Sequence, residues 1–353
     1  MRLMERPAEW LGGSKPPPTP NFAPSPSRVF EPPLLLGAMM RDGDDSIPDA
    51  QPAPMVIDVE FEEQEVQIPQ SREFGQAEIR EPLDLPRAGP TPDGRARVVT
   101  VINQKGGVAK TTTVINVAAH LAIQGVKVLV VDCDSQGNCA TGFGIDKARI
   151  RYGTRTLMLT PEDAIRARHA TGVENLHLIV ADRQLVGIEE ELISQLGRER
   201  RLAEGLEALL PHYDLILIDT PPSLGLVSIN ALVASDSVVI PVQTEYFALE
   251  GLALLASTIR EIRHRLNPRL GVDAVLLTMH APTLLNGQVA AQVRETFPDL
   301  VVDPPIRRNI RLAEAPSHGT PIHIHAPKSA GGQDYLNLSN ALMKVWGFGE
   351  KDE

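Results

Sequence analysis

From Arg95 onward the chain alternates short apolar runs with longer stretches of helical periodicity. Residues 98–102 (VVTVI) make a continuous apolar run, the pattern of a strand covered on both faces. Residues 111–124 place Val114, Val117, Ala118, Leu121 and Ala122 on one helical face, and Gly125 is set to end that helix. Further strands are expected at 127–132 (KVLVVD), 176–180, 215–219 (LILID), 237–242 (SVVIPV), 272–278 (VDAVLLT) and 301–302. Strands separated by helical stretches predict an α/β fold, a mainly parallel twisted sheet with helices on both faces. No internal repeat is visible.

The pattern fails before residue 95. Residues 1–94 hold 17 of the 30 prolines, and proline blocks helix interiors and central strands. This segment has a net charge of −9, against −2 for the remainder. Nine acids and no Lys or Arg lie between Arg41 and Arg72. Such a segment buries too little apolar surface to offset the entropy of ordering. The expected organisation is therefore a disordered, Pro-rich acidic extension (1–94) followed by one domain (95–353). Two apolar islands, 33–40 and 55–61, could dock on a partner or belong to a plain linker, and Met39 and Met40 leave the start codon open. No apolar run approaches the ~18 residues of a membrane span, and no leader-like segment opens the chain. Cys133 and Cys139 are not spaced as a C-x-x-C pair and are expected to be buried thiols in a reducing cytoplasm.

The chemistry follows the first strand, in the loop Asn103-Gln104-Lys105-Gly106-Gly107-Val108-Ala109-Lys110-Thr111-Thr112. A Gly-rich turn between strand and helix lets backbone N–H groups converge on phosphate oxygens. Lys110 can reach β- and γ-phosphates, and the Thr111 hydroxyl can bind Mg²⁺. The ordinary G-x-x-x-x-G-K-[ST] spacing fails, because Gln104 and Ala109 stand at its glycine positions. The loop instead fits K-G-G-x-x-K-[ST], with an additional lysine at Lys105. Asp219 ends LILID and suits a water-mediated role on Mg²⁺. Asp132 and Asp134 end the second strand, where a carboxylate can orient an attacking water. A helix-capping or turn role is the plainer alternative for each.

Five blocks now carry a resemblance: INQKGGVAKTTTVINVAAHLA, VLVVDCDSQGNCATGFGI, DLILIDTPPSLGLVSINAL, VIPVQTEYFALEGL and IRRNIRLAEAPSHGTPI. In this order they resemble the ParA/Soj branch of the ParA/MinD P-loop ATPases. The resemblance implies an ATP·Mg²⁺-dependent sandwich homodimer that binds double-stranded DNA without sequence preference. A ParB-like protein would stimulate slow hydrolysis, and the setting would be cytoplasmic and nucleoid-associated. It implies that residues 105–112 hold the nucleotide, with Lys105 reaching the partner subunit's phosphates and Lys110 and Thr111 serving their own. Asp134 would position the hydrolytic water, with Asp132 and Asp219 near the metal.

DNA contacts are expected from Arg260, Arg263 and Arg265 on a predicted helix and from Arg307, Arg308 and Arg311 in RRNIR. A solvated helix face and a pocket-framing role are the respective alternatives. The chain departs from family habit at 278–283 (TMHAPT), where relatives carry an Asp and an Arg. Alanine replaces the more usual glycine at Ala109, which is free of strain where φ is negative, so the loop is expected to bind nucleotide. Residues 42–65 are expected to compete with DNA for a basic surface, or else to recruit a partner. The C-terminus lacks the basic amphipathic helix of a membrane-bound relative. The cysteines do not suit an iron–sulfur cluster, and no N-K-x-D motif of a GTPase is present. Positioning of a non-DNA cargo, a protein array or microcompartment, is the second functional reading and would use the same site residues.

Overall fold

The computed structural model describes residues 85–91, 94–245 and 248–348, so the islands and the 42–65 segment lie outside the described residues. Among the described residues, eight strands form one sheet in the order β3-β4-β2-β5-β1-β6-β7-β8. They are β1 (Arg97–Val101), β2 (Val128–Asp132), β3 (Arg168–Ala170), β4 (Leu176–Ile179), β5 (Leu215–Asp219), β6 (Ser237–Gln243), β7 (Gly271–Thr278) and β8 (Val301–Val302). All neighbours are parallel except the edge pair β3–β4. β3 is three exposed or half-buried residues that offered no apolar run, so the sequence pattern did not predict it.

Alternation along the central strands sends side chains to both faces. Val99, Val101, Val239, Ala274 and Leu276 pack toward α1 (Lys110–Ile123) and the C-terminal helix Ala330–Val345. Val98, Leu129, Val131, Ile216 and Ile218 pack on the other face toward the short helices of 154–234. Val238, Ile240, Val275 and Leu277 continue that face under Ala248–Arg265 and Leu284–Thr296. Burial on both faces explains why these strands read as continuous apolar runs.

Among the described residues, packing against the sheet reaches back to Leu85, ahead of the expected boundary at 95. Leu85 is buried in the core, the Pro86 carbonyl accepts from Val272 N (2.8 Å), and Arg87 bridges to β7 at Val272. Gly271 permits this approach, since a Cβ there would lie 2.2 Å from Ala88 N.

Candidate active site

The register aligns the carboxyl ends of three central strands, pairing Val101 with Asp219 and Asp219 with Asp132. The loop 103–109 leaves β1 at this point. Asn103 ties it down by donating Nδ2 to the Pro241 carbonyl (2.7 Å) and accepting from Lys105 N (2.9 Å). On β7, Thr278 donates to the Val108 carbonyl (3.2 Å). Gly107 takes φ +75°, the left-handed region open to glycine.

Ala109 also takes a left-handed conformation, φ +68° and ψ 31°, at the residue before α1. The expectation of an unstrained negative φ is therefore corrected. Its methyl group sits where chirality disfavours it by about 1–2 kcal/mol, and the surrounding loop bonds hold it there.

The two loop lysines point to different places. Lys110 is buried, and its Nζ donates to the Lys105 carbonyl (3.1 Å). Burial pulls its ammonium below the usual lysine range, while Asp219 and Asp134 act in the opposite sense. Lys105 is 45 % exposed and pairs with Glu245, itself 48 % exposed, beyond the end of β6. That partner was not foreseen, because the pairing is made by topology.

Asp219 is fully buried. Its Oδ2 accepts from the Thr111 hydroxyl (2.6 Å) and from the Cys139 thiol (3.5 Å), while its Oδ1 is buried with no hydrogen-bond partner. Burial first of all pushes its carboxyl up to about 6. Asp132, also fully buried, accepts from Asp134 N and Cys139 N, both at 3.1 Å. Burial and then Asp219 drive the Asp132 carboxyl well above the carboxylate range. Asp134 lies in the following turn and accepts from Gln136 N (3.0 Å).

Two free cysteines are buried, as expected. Burial and the neighbouring carboxylates raise both thiols, so they stay protonated. Donor atoms of Asp132, Cys139 and Asp219 lie within 4.8 Å of one another. A thiol does not suit Mg²⁺, but carboxylate and hydroxyl oxygens do. The unpartnered Asp219 Oδ1 beside the Thr111 hydroxyl fits a hard divalent cation.

A cavity of about 380 Å³ opens over this group and is lined by Gly107, Lys110, Thr111, Asp134, Met279 and Pro316 among others. A neighbouring cavity of about 540 Å³ shares Ala109, Thr112 and Met279 and is walled by Arg307 and Arg308. RRNIR thus lies beside the phosphate loop, the alternative its sequence left open. Met279 takes φ +49° at the mouth, a feature the TMHAPT pattern did not reveal.

The candidate DNA-contacting arginines do not form one group. Arg260 and Arg263 lie on the helix 248–265, Arg307 and Arg308 follow β8, and Arg311 begins another helix. Arg263 donates to the Leu270 carbonyl (2.6 Å), Arg307 pairs with Asp334 (2.7 Å) and Arg311 with Glu314 (2.8 Å). Arg265 pairs with Glu261 at 3.4 Å.

A strand, a two-lysine glycine loop, a helix and acidic ends on adjacent parallel strands define a P-loop nucleotide-binding protein of the deviant Walker A type. Comparison with known proteins agrees. A family described as "AAA domain" matches residues 96–272. The sporulation initiation inhibitor protein Soj of Bacillus subtilis is 50% identical over 247 residues, covering 70% of this chain and 98% of Soj. The chromosome partitioning protein ParA of Caulobacter vibrioides is 44% identical over 250 residues, covering 70% of this chain and 94% of that protein. A crystal structure described as cobyrinic acid a,c-diamide synthase of Mycobacterium smegmatis, with bound ATP analog and magnesium, superposes with a TM-score of 0.63. It is 33% identical and covers 72% of this chain and 98% of that one. The chain belongs to the ParA/Soj family of P-loop ATPases. Among the described residues, no helix is long and apolar enough to cross a membrane.

Proposed function

We propose that this protein is a DNA-segregation ATPase whose ATP-bound form is a homodimer that holds duplex DNA without sequence preference. The observation that carries this reading is the division of the two lysines. Lys110 is buried within its own site, and Lys105 is held at the surface by Glu245. A lysine presented outward from the phosphate loop is placed to serve a second copy's nucleotide, which makes dimerisation depend on ATP. Lys110 and the loop amides bind the phosphates. Thr111 and Asp219 hold Mg²⁺, which when bound offsets phosphate charge. Asp134 orients a water for in-line attack, and Asp132 fixes the turn that carries it. Hydrolysis is slow alone, a ParB-like protein accelerates it, and the resulting release from DNA makes the bound state a timer. The site of action is the nucleoid.

The test is binding of nonspecific duplex by the Asp134→Ala protein with ATP·Mg²⁺, with ADP·Mg²⁺ and without nucleotide, at two salt concentrations. Salt-sensitive binding only with ATP is expected. ATP-bound dimers that ignore DNA would overturn the reading in favour of a cargo positioned on another platform.

A further inference from the structure

Residues 147–155 (KARIRYGTR) carry four cations and no acid. Lys147 and Arg149 lie on a single 3-10 turn, and the chain then runs extended at Ile150 before the helix Thr154–Leu159. Lys147, Arg151 and Arg155 from this segment, and Arg183 from the turn after β4, line one cavity of about 280 Å³. It shares no lining residue with the nucleotide cavity. Asp182 is its one acidic lining residue, and its carboxylate already accepts from Arg155 N (3.1 Å) and Gln184 N (3.0 Å). Arg155 is held from outside by Glu191 at 2.9 and 2.6 Å. Among the described residues, Arg151 and Arg183 have no carboxylate partner. Like charges gathered in a concavity repel one another, and an anion placed between them relieves that repulsion. Guanidinium forks match the oxygens of a phosphate group better than those of a lone halide.

The cavity also touches the machinery of hydrolysis. Lys147 Nζ donates to the Gln136 carbonyl (2.9 Å), and Gln136 N donates to Asp134 Oδ1 (3.0 Å). The lysine stem lies over Gly137, where a Cβ would come within 3.0 Å of Lys147 Cδ. One side chain is therefore both a wall of the cavity and a brace on the turn that carries Asp134.

We propose that Lys147, Arg151, Arg155 and Arg183 form a second anion site that takes a phosphate group, and that Lys147 transmits its occupancy to the Asp134 turn. The phosphate belongs either to a small free phosphoanion or to the backbone of a duplex. The site does not depend on the DNA-segregation reading, whereas its transmission rests on the role proposed for Asp134. Lys147 is a positioning residue, since it acts on Asp134 through Gln136.

The experiment uses the full chain with a non-hydrolysable ATP analogue and Mg²⁺ in excess, repeated in a Lys110→Ala background so that the nucleotide loop cannot supply the signal. Tripolyphosphate is titrated by calorimetry and a random-sequence duplex by fluorescence anisotropy. The proteins compared are the parent, Arg151→Gln/Arg183→Gln, and a Lys127→Gln control at an exposed lysine before β2. If the phosphate is free, the double variant weakens tripolyphosphate at least tenfold and leaves duplex binding unchanged. If it is backbone phosphate, the duplex weakens, its salt slope falls by about 2, and tripolyphosphate does not bind. Equal binding of both probes by parent and double variant overturns the site, as does no binding of either probe by the parent. For the transmission, Lys147→Gln in the Lys110-intact protein is expected to abolish the response of ATP turnover to the probe that binds. An undiminished response overturns the transmission.

Discussion

Two pairs of buried aspartates stand at opposite ends of the same sheet, and they are treated differently. At the amino end, every carboxylate oxygen of Asp236 and Asp273 has a donor. Asp236 takes Arg95, Arg269 (2.9 Å) and Val98 N (2.9 Å). Asp273 takes Arg97 (2.9 Å), Ser237 and Trp346 Nε1 (2.7 Å). Three arginines neutralise these two acids, and the result ties the strap before β1 and the C-terminal helix to the sheet. At the carboxyl end, Asp132 and Asp219 have no ion pair among the described residues, and Asp219 Oδ1 has no partner at all. A buried charge with a complete set of partners holds the fold, whereas one left incomplete is kept for a ligand that arrives later.

The comparison breaks most visibly at the amino end. Asp236→Ala leaves Arg95 unpaired in a half-buried position and removes the acceptor for Val98 N. A loss of about 3–5 kcal/mol in chemical denaturation is expected. A loss below about 1 kcal/mol would mean that this end is not the structural one. The carboxyl end should respond in the opposite sense. Asp219→Asn removes a carboxylate that burial disfavours at pH 7 while keeping an oxygen for the Thr111 hydroxyl. The apo protein should be as stable as the parent, or more stable by up to about 3 kcal/mol. ATP turnover should fall about a hundredfold or more, because the amide is a poor ligand for Mg²⁺. An unfolded variant would refute the assignment of this end to function.

Both ends were unequally visible before the structure was known. The phosphate loop and Asp219 are local patterns, a spacing of lysines and glycines and an acid closing an apolar run, so they could be read directly. The strands of the sheet centre were legible because both faces are covered and their residues are uniformly apolar. The elements of residues 147–212 are short turns and helices with little periodicity, and β3 is three residues of mixed polarity. The partners of Asp236 and Asp273 come from segments up to 176 residues away, and Glu245 reaches Lys105 across 140. Such pairings exist only once the topology is set. The run 147–155 carries four cations without an acid but was not singled out as a candidate in the sequence, because its convergence with Arg183 needed the fold.

A half-buried side chain sharpens the distinction, because one of its ring nitrogens is buried without a partner and it lies outside the cavity over the phosphate loop. His323 Nε2 is buried without a hydrogen-bond partner, and the ring lies 6.5 Å from that of His120. Burial, then His120, lowers its pKa from 6.5 to about 4. Between these values the unfolded chain binds the proton that the folded chain refuses, so stability falls as pH drops from 6.5 toward 4. The ring is partly exposed, so solvent screening limits the loss to about 1 kcal/mol. Denaturation midpoints across this range should be flatter in His323→Gln. An equal slope in both proteins would remove His323 from the account.

Ala109 gives the smallest and most local test of whether the carboxyl end is kept in a costly state. Its left-handed backbone is imposed by Asn103, Thr278 and the start of α1, since its own side chain makes no capping bond. Strain retained at a ligand-binding loop is expected where the conformation serves the ligand. Glycine adopts the same angles without penalty but is freer in the unfolded chain, so the two effects partly cancel. Ala109→Gly should therefore stabilise the apo protein by about 0.5–1 kcal/mol in urea denaturation. ATP affinity should change little, because the backbone N–H groups keep their directions. A destabilised glycine variant would show that the methyl group makes packing contacts worth more than the strain it carries, and Ala109 would then belong with the structural residues of the amino end.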